Sequence, residues 1–339
     1  MKTDIKLKKY FYNTLSKELL PLEAERKKTA RNMLIFNSVI ALSTILLVII
    51  QLNYARSSYQ ETGQTFSITT IIITLFSLVI NPIGWQVVFY LGLGYFIVWH
   101  FIYQNFRDNF KKELTKKLVT FINPEVNYSP YKCLSSKSIY KSGLFRRIDT
   151  TSGNDLVTGY IGATYFEFSD VLAQQGYRDE AALIYKGLFL KADFNKNFKH
   201  QTFIFPRESR HSFKLKLQDE KEYFIRYGSP VKLEDPDFEK VFSTYSSDQI
   251  EARYILSTAL MQRILNYQKK AGKKLSFSFS NNSMYMAIHN QKDMFEPHLY
   301  RSLLKLETIQ GYLEELSLVI DIVEDLNLNT RIWSKQTTG

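Results

Sequence analysis

Two long apolar segments near the N-terminus dominate the pattern of hydrophobic and polar positions. Residues 33–52 (MLIFNSVIALSTILLVIIQL) contain no Asp, Glu, Lys or Arg, and a helix of about 20 apolar residues can cross the hydrocarbon core of a bilayer. Residues 66–103 also lack these residue types, but Asn81-Pro82-Ile83-Gly84 interrupts them. We therefore predict a membrane hairpin at residues 33–103, with transmembrane spans at 33–52 and 85–103.

The apolar residues 68–80 are not needed for a hairpin of two spans. We expect them to form a re-entrant or interfacial helix that stops at Asn81-Pro82, because proline cannot donate to the hydrogen-bond ladder of a helix. The alternative is a third span, which would place the C-terminal region outside the cytoplasm.

Charged residues beside the spans predict the orientation, because Lys and Arg near span ends stay on the cytoplasmic side. The connector 53–65 has Arg56 and Glu61 as its charged residues. Both outer flanks are basic, with Lys2, Lys6, Lys8, Lys9, Lys17, Arg26, Lys27, Lys28 and Arg31 on one side and Arg107, Lys111, Lys112, Lys116 and Lys117 on the other. We therefore predict a multi-pass protein of the cytoplasmic membrane with both termini in the cytoplasm.

Residues 1–32 are predicted to form a cytoplasmic amphipathic helix. Apolar residues recur at helical spacing within residues 5–28, at Tyr10, Phe11, Leu15, Leu19 and Leu22. The lysines on the polar side would allow the helix to lie on the inner leaflet. The alternative is that it packs on the protein's own cytosolic domain, with a bend at Pro21.

The pattern of apolar and polar positions in residues 104–339 predicts a cytosolic α+β domain with a mainly antiparallel sheet and flanking helices. Alternation within residues 155–174, around Gly159 and Gly162, predicts two antiparallel strands joined by a tight turn. Further strands are predicted at 185–192, 201–206, 274–280 and 284–289, with Asn281-Asn282-Ser283 as the last turn. Helices are predicted at 104–123, 135–142, 256–271 and 297–326, with a turn-rich connector at 123–130, a possible break at Gly311, and Ser257 or Thr258 and Gly272 as the caps of the third helix.

Composition narrows the classes of partner. The chain has 339 residues and a formal net charge of +11. Much of this excess lies beside the predicted spans, where anionic lipid headgroups attract it, and not in one stripe as in a nucleic-acid binder. We expect membrane lipids and no nucleic acid as partners. A single cysteine, Cys133, excludes an intrachain disulfide and a multi-thiolate metal site, as expected in a reducing compartment.

Several segments of the cytosolic region form an ordered pattern. They are NPEVNYSP at 123–130, SGLF at 142–145, GNDLVTGYIG at 153–162, FSDV at 168–171, KGLFLKADFNKNF at 186–198, VKLEDPDFEKVFSTYSSDQIEARYIL at 231–256 and FEPHLYRSLL at 295–304. This pattern resembles the bacterial membrane-protein family "domain of unknown function 3137" over most of residues 123–333. The resemblance implies an inner-membrane protein with an N-terminal hairpin and a cytosolic domain. It also implies a LemA-type membrane protein as a partner, and it supplies no catalytic residue.

The sequence carries no signature of a catalytic, cofactor or metal site. The histidines are His100, His200, His211, His289 and His298, and they form neither an HExxH motif nor another ligand spacing. Closely spaced glycines between a strand and a helix, which would cradle a phosphate, are also absent, as is a GxSxG motif. We therefore expect no cofactor and no metal.

Two groups of residues are candidates for interaction or for structure. The first is a carboxylate cluster with an arginine, formed by Glu234, Asp235, Asp237, Glu239, Asp248, Glu251 and Arg253. Such carboxylates could hold a divalent cation or act as acid and base. Alternatively, Asp235 begins a helix before Pro236 and Arg253 pairs with a carboxylate. The second group is Asp193 and Phe194 within residues 193–197, which form a turn or present Phe194 and Phe198 to a partner.

Three hypotheses for function follow. The first is a non-enzymatic, membrane-anchored interaction or scaffold module. The second is a membrane-tethered hydrolase or metal-dependent enzyme that uses the carboxylates of residues 234–253. The third is a transporter or channel, which the absence of Asp, Glu, Lys and Arg from both predicted spans disfavours. Neither the biochemical activity nor the oligomeric state follows from the sequence.

Overall fold

The first apolar segment lies within one continuous helix in the computed structural model of the chain. The structure describes residues 2–61, 67–69, 71–72, 82–145, 147–176, 181–194, 197–207, 225–290 and 292–325. Its fold is α+β, with a large antiparallel sheet, as predicted. The chain divides into a first unit, Met1–Lys111 with Pro297–Ile309, and a second unit, Lys112–Glu296 with Gln310–Gly339.

The first unit is built from helices. They are α1 (Lys2–Tyr10), α2 (Ser16–Glu18), α3 (Leu20–Glu61) and α4 (Pro82–Phe110), with a π-helical turn at Phe11–Leu15. Pro21 lies in the first turn of α3, where its missing N–H would have had no helical partner. Residues 68–69 and 71–72 are helical, and the rest of the predicted re-entrant segment 68–80 lies outside the described residues.

The N-terminal helices are amphipathic, and their apolar side is covered. The buried side chains are Leu7, Phe11, Leu15, Leu19 and Leu22. The exposed side chains include Lys6, Lys8, Lys9 and Lys17. Packing of this helix on the protein's own cytosolic domain stays a prediction. The basic side is left at the surface.

The second unit contains the sheet and shorter helices. After α4, a π-helical turn at Lys111–Thr115 leads into α5 (Lys116–Ile122). The strands are β1 (Asn127–Ser129), β2 (Thr150–Ile161), β3 (Thr164–Gln175), β4 (Ala182–Asp193), β5 (Thr202–Pro206), β6 (Ser229–Val231), β7 (Phe242–Ser246), β8 (Leu275–Ser280) and β9 (Ser283–His289). The other helices are α6 (Ser136–Lys141), α7 (Pro236–Val241), α8 (Gln249–Ile255), α9 (Thr258–Ala271) and α10 (Leu306–Asp325), whose first residues belong to the first unit.

The described strands form one antiparallel sheet in the order β1-β2-β3-β4-β9-β8-β5-β7-β6. Both of its faces are buried. One face packs phenylalanine, leucine and methionine side chains, such as Phe166, Phe277 and Met286, with side chains from α8, α9 and α10. The other face carries an aromatic cluster that includes Phe189 and Tyr245. Helices on one side and the chain around residues 134–148 on the other therefore enclose the sheet.

Local sequence signals predicted several elements correctly. The hairpin of β2 and β3 turns at Gly162, which has a φ of 60°. The hairpin of β8 and β9 turns at Asn281 and Asn282. Helix α9 begins after Ser257, whose side chain accepts a hydrogen bond from the N–H of Leu260, and ends at Gly272 in the left-handed conformation.

Two predictions were wrong. Residues 297–305 are not helical, since α10 begins at Leu306, and Gly311 lies inside that helix without breaking it. The backbone groups of Leu299 and Leu303 bind side chains of α3 and are therefore not available to a helix. The connector 123–130 also contains the edge strand β1, which pairs with β2.

Candidate membrane-proximal site

Helix α3 carries apolar side chains that the protein does not cover. Leu34, Ile35, Leu42, Ile45, Leu46 and Ile49 are between 48% and 66% exposed. An 18-residue window of this helix has a mean hydropathy of 2.6, and 6% of it is buried. The core helix of a soluble protein would be mostly buried. In the part of the chain that the structure describes, α3 is the one helix long and apolar enough to cross a membrane by these criteria.

Helix α4 contacts α3 through aromatic rings. The ring of Phe36 in α3 stacks on that of Tyr95 in α4, with 6.0 Å between centroids. Along α4, Tyr95, Trp99 and Tyr103 continue the stack at centroid distances of 6.2 and 5.1 Å. The hydroxyl of Tyr103 donates to the carbonyl of Pro297 at 3.2 Å. Aromatic residues of this kind favour the level of lipid headgroups.

A buried ion pair holds residues 297–303 against the start of α3. Glu23 and Arg26 are 2% and 7% exposed. Arg26 donates through Nε and Nη2 to the two carboxylate oxygens of Glu23, each at 2.8 Å, and through Nη1 to the carbonyl of Leu299. The hydroxyl of Ser302 and the N–H of Leu303 also donate to Glu23, at 2.9 and 3.0 Å. We call this group the Glu23–Arg26 clamp.

The clamp keeps Glu23 ionised. Burial alone raises the pKa of a carboxyl group, but the hydrogen bonds from Arg26, Leu303 and Ser302 outweigh it and lower the pKa of Glu23 to about 2. The same hydrogen bond to Glu23 raises the pKa of Arg26. Both groups are therefore charged at neutral pH, and each is the counter-ion of the other in a buried site.

The residues that precede the clamped segment are held within the second unit. The N–H of Met294 donates to Asp170, a buried carboxylate of β3. The ring of Tyr128 lies 6.0 Å from that of Phe295, edge to face, and its hydroxyl donates to Asp155. Burial, followed by the charge of Asp155, raises the pKa of Tyr128 well above its usual value. Met294 and Phe295 thus make these contacts within the second unit.

The predicted carboxylate cluster is divided among local structural roles. Asp235 is the N-cap of α7, where Oδ1 accepts from the N–H groups of Asp237 and Phe238, and Oδ2 accepts from Gln262 at 2.6 Å. Glu239 accepts from the N–H of Leu233 at 2.7 Å. Asp237 pairs with Lys240 at 2.8 Å. Glu234 is exposed.

Asp248 and Glu251 lie together with His200, a neighbour that the sequence pattern did not predict. Asp248 is the N-cap of α8 and accepts from the N–H of Glu251 at 2.7 Å, which lowers the pKa of Asp248. Glu251 accepts from the N–H groups of Lys199 and His200, and its carboxylate lies 3.3 Å from His200 Nδ1. Arg253 donates to the carbonyl of Lys232 at 3.2 Å. Among the described residues, no group of three or more His, Cys, Asp or Glu side chains could hold a metal ion.

The second candidate group does not present aromatic side chains at the surface. Phe194 and Phe198 are buried, and their rings pack against each other and against Phe279. Asp193 is the last residue of β4 and pairs with Ser283 in the sheet. The alternative in which Phe194 and Phe198 contact a partner is therefore wrong, because both belong to the core.

The other histidines that the structure describes lie in different segments, His100 in α4, His289 in β9 and His298 before α10. His289 lies at the end of β9 beside Tyr185, and burial lowers its pKa to about 4. His100 stacks on Phe96 in α4. His211 lies outside the described residues.

Comparison with known families fits the sequence pattern of the C-terminal region. Residues 183–328 match the family model described as "Protein of unknown function (DUF3137)". The predicted resemblance is confirmed for these residues. The segments quoted before residue 183 lie outside the match.

The DUF3137 match includes the carboxylate cluster and the clamped segment 297–303. No curated protein matches the sequence. Among solved structures, the crystal structure of the mycobacterial trehalose monomycolate transport factor A, TtfA, shares 10% identity, with a TM-score of 0.35 over 66% of this chain and 97% of that chain. A likeness this small supports no statement about activity or partners.

Sequence reasoning missed the two buried charges of the Glu23–Arg26 clamp. Glu23 and Arg26 stand among exposed charges in the run EAERKK at 23–28, and three-residue spacing is common for solvent-exposed pairs. The signal that distinguishes them is that both fall on the same side of the helix as the apolar residues Leu22 and Met33. This signal is weak. Asp170 was a clearer signal, because a carboxylate inside the apolar strand β3 needs a partner.

Proposed function

We propose that this protein is a membrane-anchored interaction or scaffold module, in which helix α3 spans the cytoplasmic membrane and carries an α+β domain on the cytoplasmic side. The observation that carries the proposal is the exposed apolar surface of α3. A surface of this kind is costly in water, whereas the hydrocarbon core of a bilayer covers it.

We further propose that α3 and α4 form a hairpin with both termini in the cytoplasm. Basic residues flank the outer end of each helix, and Arg56 is the one cation of the connector 53–65. The stacking of Phe36 on Tyr95 supports helices that run side by side through the bilayer. An even number of crossings follows from this arrangement.

The clamp gives the proposed anchor a role beyond attachment. It joins the start of the spanning helix to residues 297–303 by hydrogen bonds within the first unit. These bonds hold that segment beside the proposed anchor. The LemA-type membrane protein implied by the resemblance stays a prediction, which co-purification from the native membrane would test.

The experiment is a cysteine-accessibility scan of the full chain in cells. Cys133→Ser provides a cysteine-free background, since the chain has one cysteine. Single cysteines then replace Ser57 in the connector and Asn13 in the N-terminal region, both of which are exposed. We expect a membrane-impermeant maleimide to label the Ser57→Cys variant in intact spheroplasts, and the Asn13→Cys variant only after permeabilisation.

Extraction by alkaline carbonate is the companion measurement, and we expect the protein to remain in the membrane pellet. Labelling of the Asn13→Cys variant in intact spheroplasts would overturn the orientation. Release of the full chain by carbonate would overturn membrane anchoring as a whole.

A further inference from the structure

Helix α3 has two opposite sides at the point where it would enter the membrane. With about 100° of rotation per residue, Leu22, Glu23, Arg26, Thr29 and Met33 fall on one side of the helix. All five are buried. This side is the one that carries the Glu23–Arg26 clamp.

The other side carries three cations in a narrow arc. Lys27, Lys28 and Arg31 lie within about 100° of one another around the helix axis, and all three are exposed. No acidic residue of α3 falls in this arc between Leu20 and Ile35. The arc therefore presents uncompensated positive charge along its helix.

The same arc continues into the exposed apolar surface. The exposed apolar residues that follow in this arc are Leu34, Ile35, Leu42, Ile45, Leu46 and Ile49. Phe36, Ile40 and Leu47, on the opposite side, are partly buried. The three cations thus lie immediately N-terminal to this row of exposed apolar residues, the apolar stripe, which would contact lipid chains.

With a span that begins at Met33, as the sequence predicts, the three cations lie at the depth of the lipid phosphates. At a rise of about 1.5 Å per residue, Arg31 lies about 3 Å and Lys27 about 9 Å before Met33. The headgroup region of each leaflet is roughly 5–8 Å thick. Long basic side chains also extend along the helix toward the headgroups.

The clamp fixes which way this arc faces. Because Glu23 and Arg26 hold the opposite side through hydrogen bonds to Leu299, Ser302 and Leu303, α3 cannot turn about its axis without breaking them. The cations and the apolar stripe therefore keep a common orientation toward the lipid.

We infer that Lys27, Lys28 and Arg31 form a binding site for the phosphate groups of anionic phospholipids, whose acyl chains lie along the apolar stripe above. This inference rests on the proposed membrane anchoring. It commits to a lipid and not to free phosphate, because the cations and the stripe together match a molecule with a charged head and an apolar tail.

The test uses the full-length protein in nanodiscs that contain one part phosphatidylglycerol to nine parts phosphatidylcholine. The test variant is Lys27→Gln with Lys28→Gln and Arg31→Gln. The control is Lys6→Gln with Lys8→Gln and Lys9→Gln, which removes the same charge from exposed positions of α1, outside the stripe. Mass spectrometry of lipids retained after mild delipidation measures the ratio of the two lipids.

We expect wild type and control to retain phosphatidylglycerol above its bulk share. In the test variant, the ratio of retained phosphatidylglycerol to phosphatidylcholine should fall at least tenfold, since each cation near an anionic leaflet changes binding about fivefold. Inorganic phosphate at 10 mM should not displace the lipid. Equal loss in test and control variants, or no loss in either, would overturn the site, and so would displacement by phosphate.

Two further measurements keep the outcomes separate. Each variant is tested for resistance to alkaline carbonate, so that wild-type protein that fails to integrate refutes the proposed function, whereas integrated protein without lipid preference refutes this inference alone. If the glutamine variant fails to fold, Lys27→Arg with Lys28→Arg and Arg31→Lys should retain the preference. In addition, wild-type protein should melt at a higher temperature in mixed nanodiscs than in phosphatidylcholine alone, and equal melting would count against the site.

Discussion

Replacing Glu23 by glutamine should destabilise the protein more than any other single charge removal in the N-terminal region. Glu23→Gln preserves the shape of the side chain but removes its charge. Arg26 would stay buried without its counter-ion, and the amide nitrogen would face donors from Ser302 or Leu303. A buried ion pair that loses one partner leaves an uncompensated charge, which is where most of the cost arises.

The magnitude follows from the pKa of Glu23. A shift from 4.5 to about 2 corresponds to about 3 kcal/mol of stabilisation of the ionised form. This agrees with the roughly 3–5 kcal/mol lost when one partner of a buried pair is removed. For a chain of this size we expect the melting temperature in detergent to fall by about 4 °C.

The matched control is Glu25→Gln, two residues along the same helix. Glu25 is partly exposed and accepts from Asn109 at 2.9 and 3.1 Å, bonds that a glutamine oxygen can also accept. Its replacement should change the free energy of unfolding by no more than about 0.5 kcal/mol. Arg26→Leu should destabilise as Glu23→Gln does, and the double variant should lose less than the sum of the two, because neither charge is then left alone.

The assay combines thermal unfolding with hydrogen exchange at the amide of Leu303, which donates to Glu23. The pKa of Glu23 is lower in the folded than in the unfolded protein, so its contribution is complete above about pH 4.5 and is lost as the pH falls toward 2. The difference between wild type and Glu23→Gln should therefore be large at pH 7 and smaller at pH 3.5. An unchanged melting temperature at pH 7, or unchanged exchange at Leu303, would refute the reasoning.

Four other predictions concern the second unit, and urea titration measures the first three of them. Gly187→Ala should cost more than about 3 kcal/mol, because φ is 152° and the new Cβ would lie 2.1 Å from the carbonyl oxygen of Ile288. Gly272→Ala should cost only about 1 kcal/mol in urea titration. Its φ is 60°, but no atom lies within 4 Å of the Cβ that alanine would add. Asp235→Ala should cost about 1–2 kcal/mol through the lost cap of α7, and an unchanged urea midpoint would contradict it. His289 has a pKa of about 4 in the fold, so stability should fall as the pH drops from 6.5 to 4, and His289→Gln should weaken that fall as measured by melting temperature.

The sequence predicted the elements whose local signals agree with one another. In β8 and β9, alternating side chains, two asparagines at the turn and a second alternating run all favour one hairpin. Helix α9 has a serine cap, apolar residues at helical spacing and a glycine end. Each signal acts over a few residues, so no tertiary information was required.

Residues 297–305 show why the rest could not be predicted. Their leucines have helical spacing, and propensity alone favours a helix. The backbone of this segment instead binds Glu23 and Arg26, which lie more than 270 positions earlier in the chain. The short strand β7 (FSTYS) was missed for a related reason, since its pairing with β5 and β6 decides its conformation.

Several carboxylates of this protein accept hydrogen bonds that stabilise the fold, and this limits their ability to act as bases. A carboxylate is an efficient general base when its pKa lies near the working pH and it can reach the proton of a substrate. Glu23 accepts four hydrogen bonds, and Asp235 and Asp248 close the N-termini of α7 and α8. These hydrogen bonds lower the pKa of Glu23 and of Asp248, which makes proton uptake by these two groups near neutral pH unfavourable. Lysines on α1 and Lys27, Lys28 and Arg31 on α3 are instead exposed, so their charge is available to a partner of opposite charge.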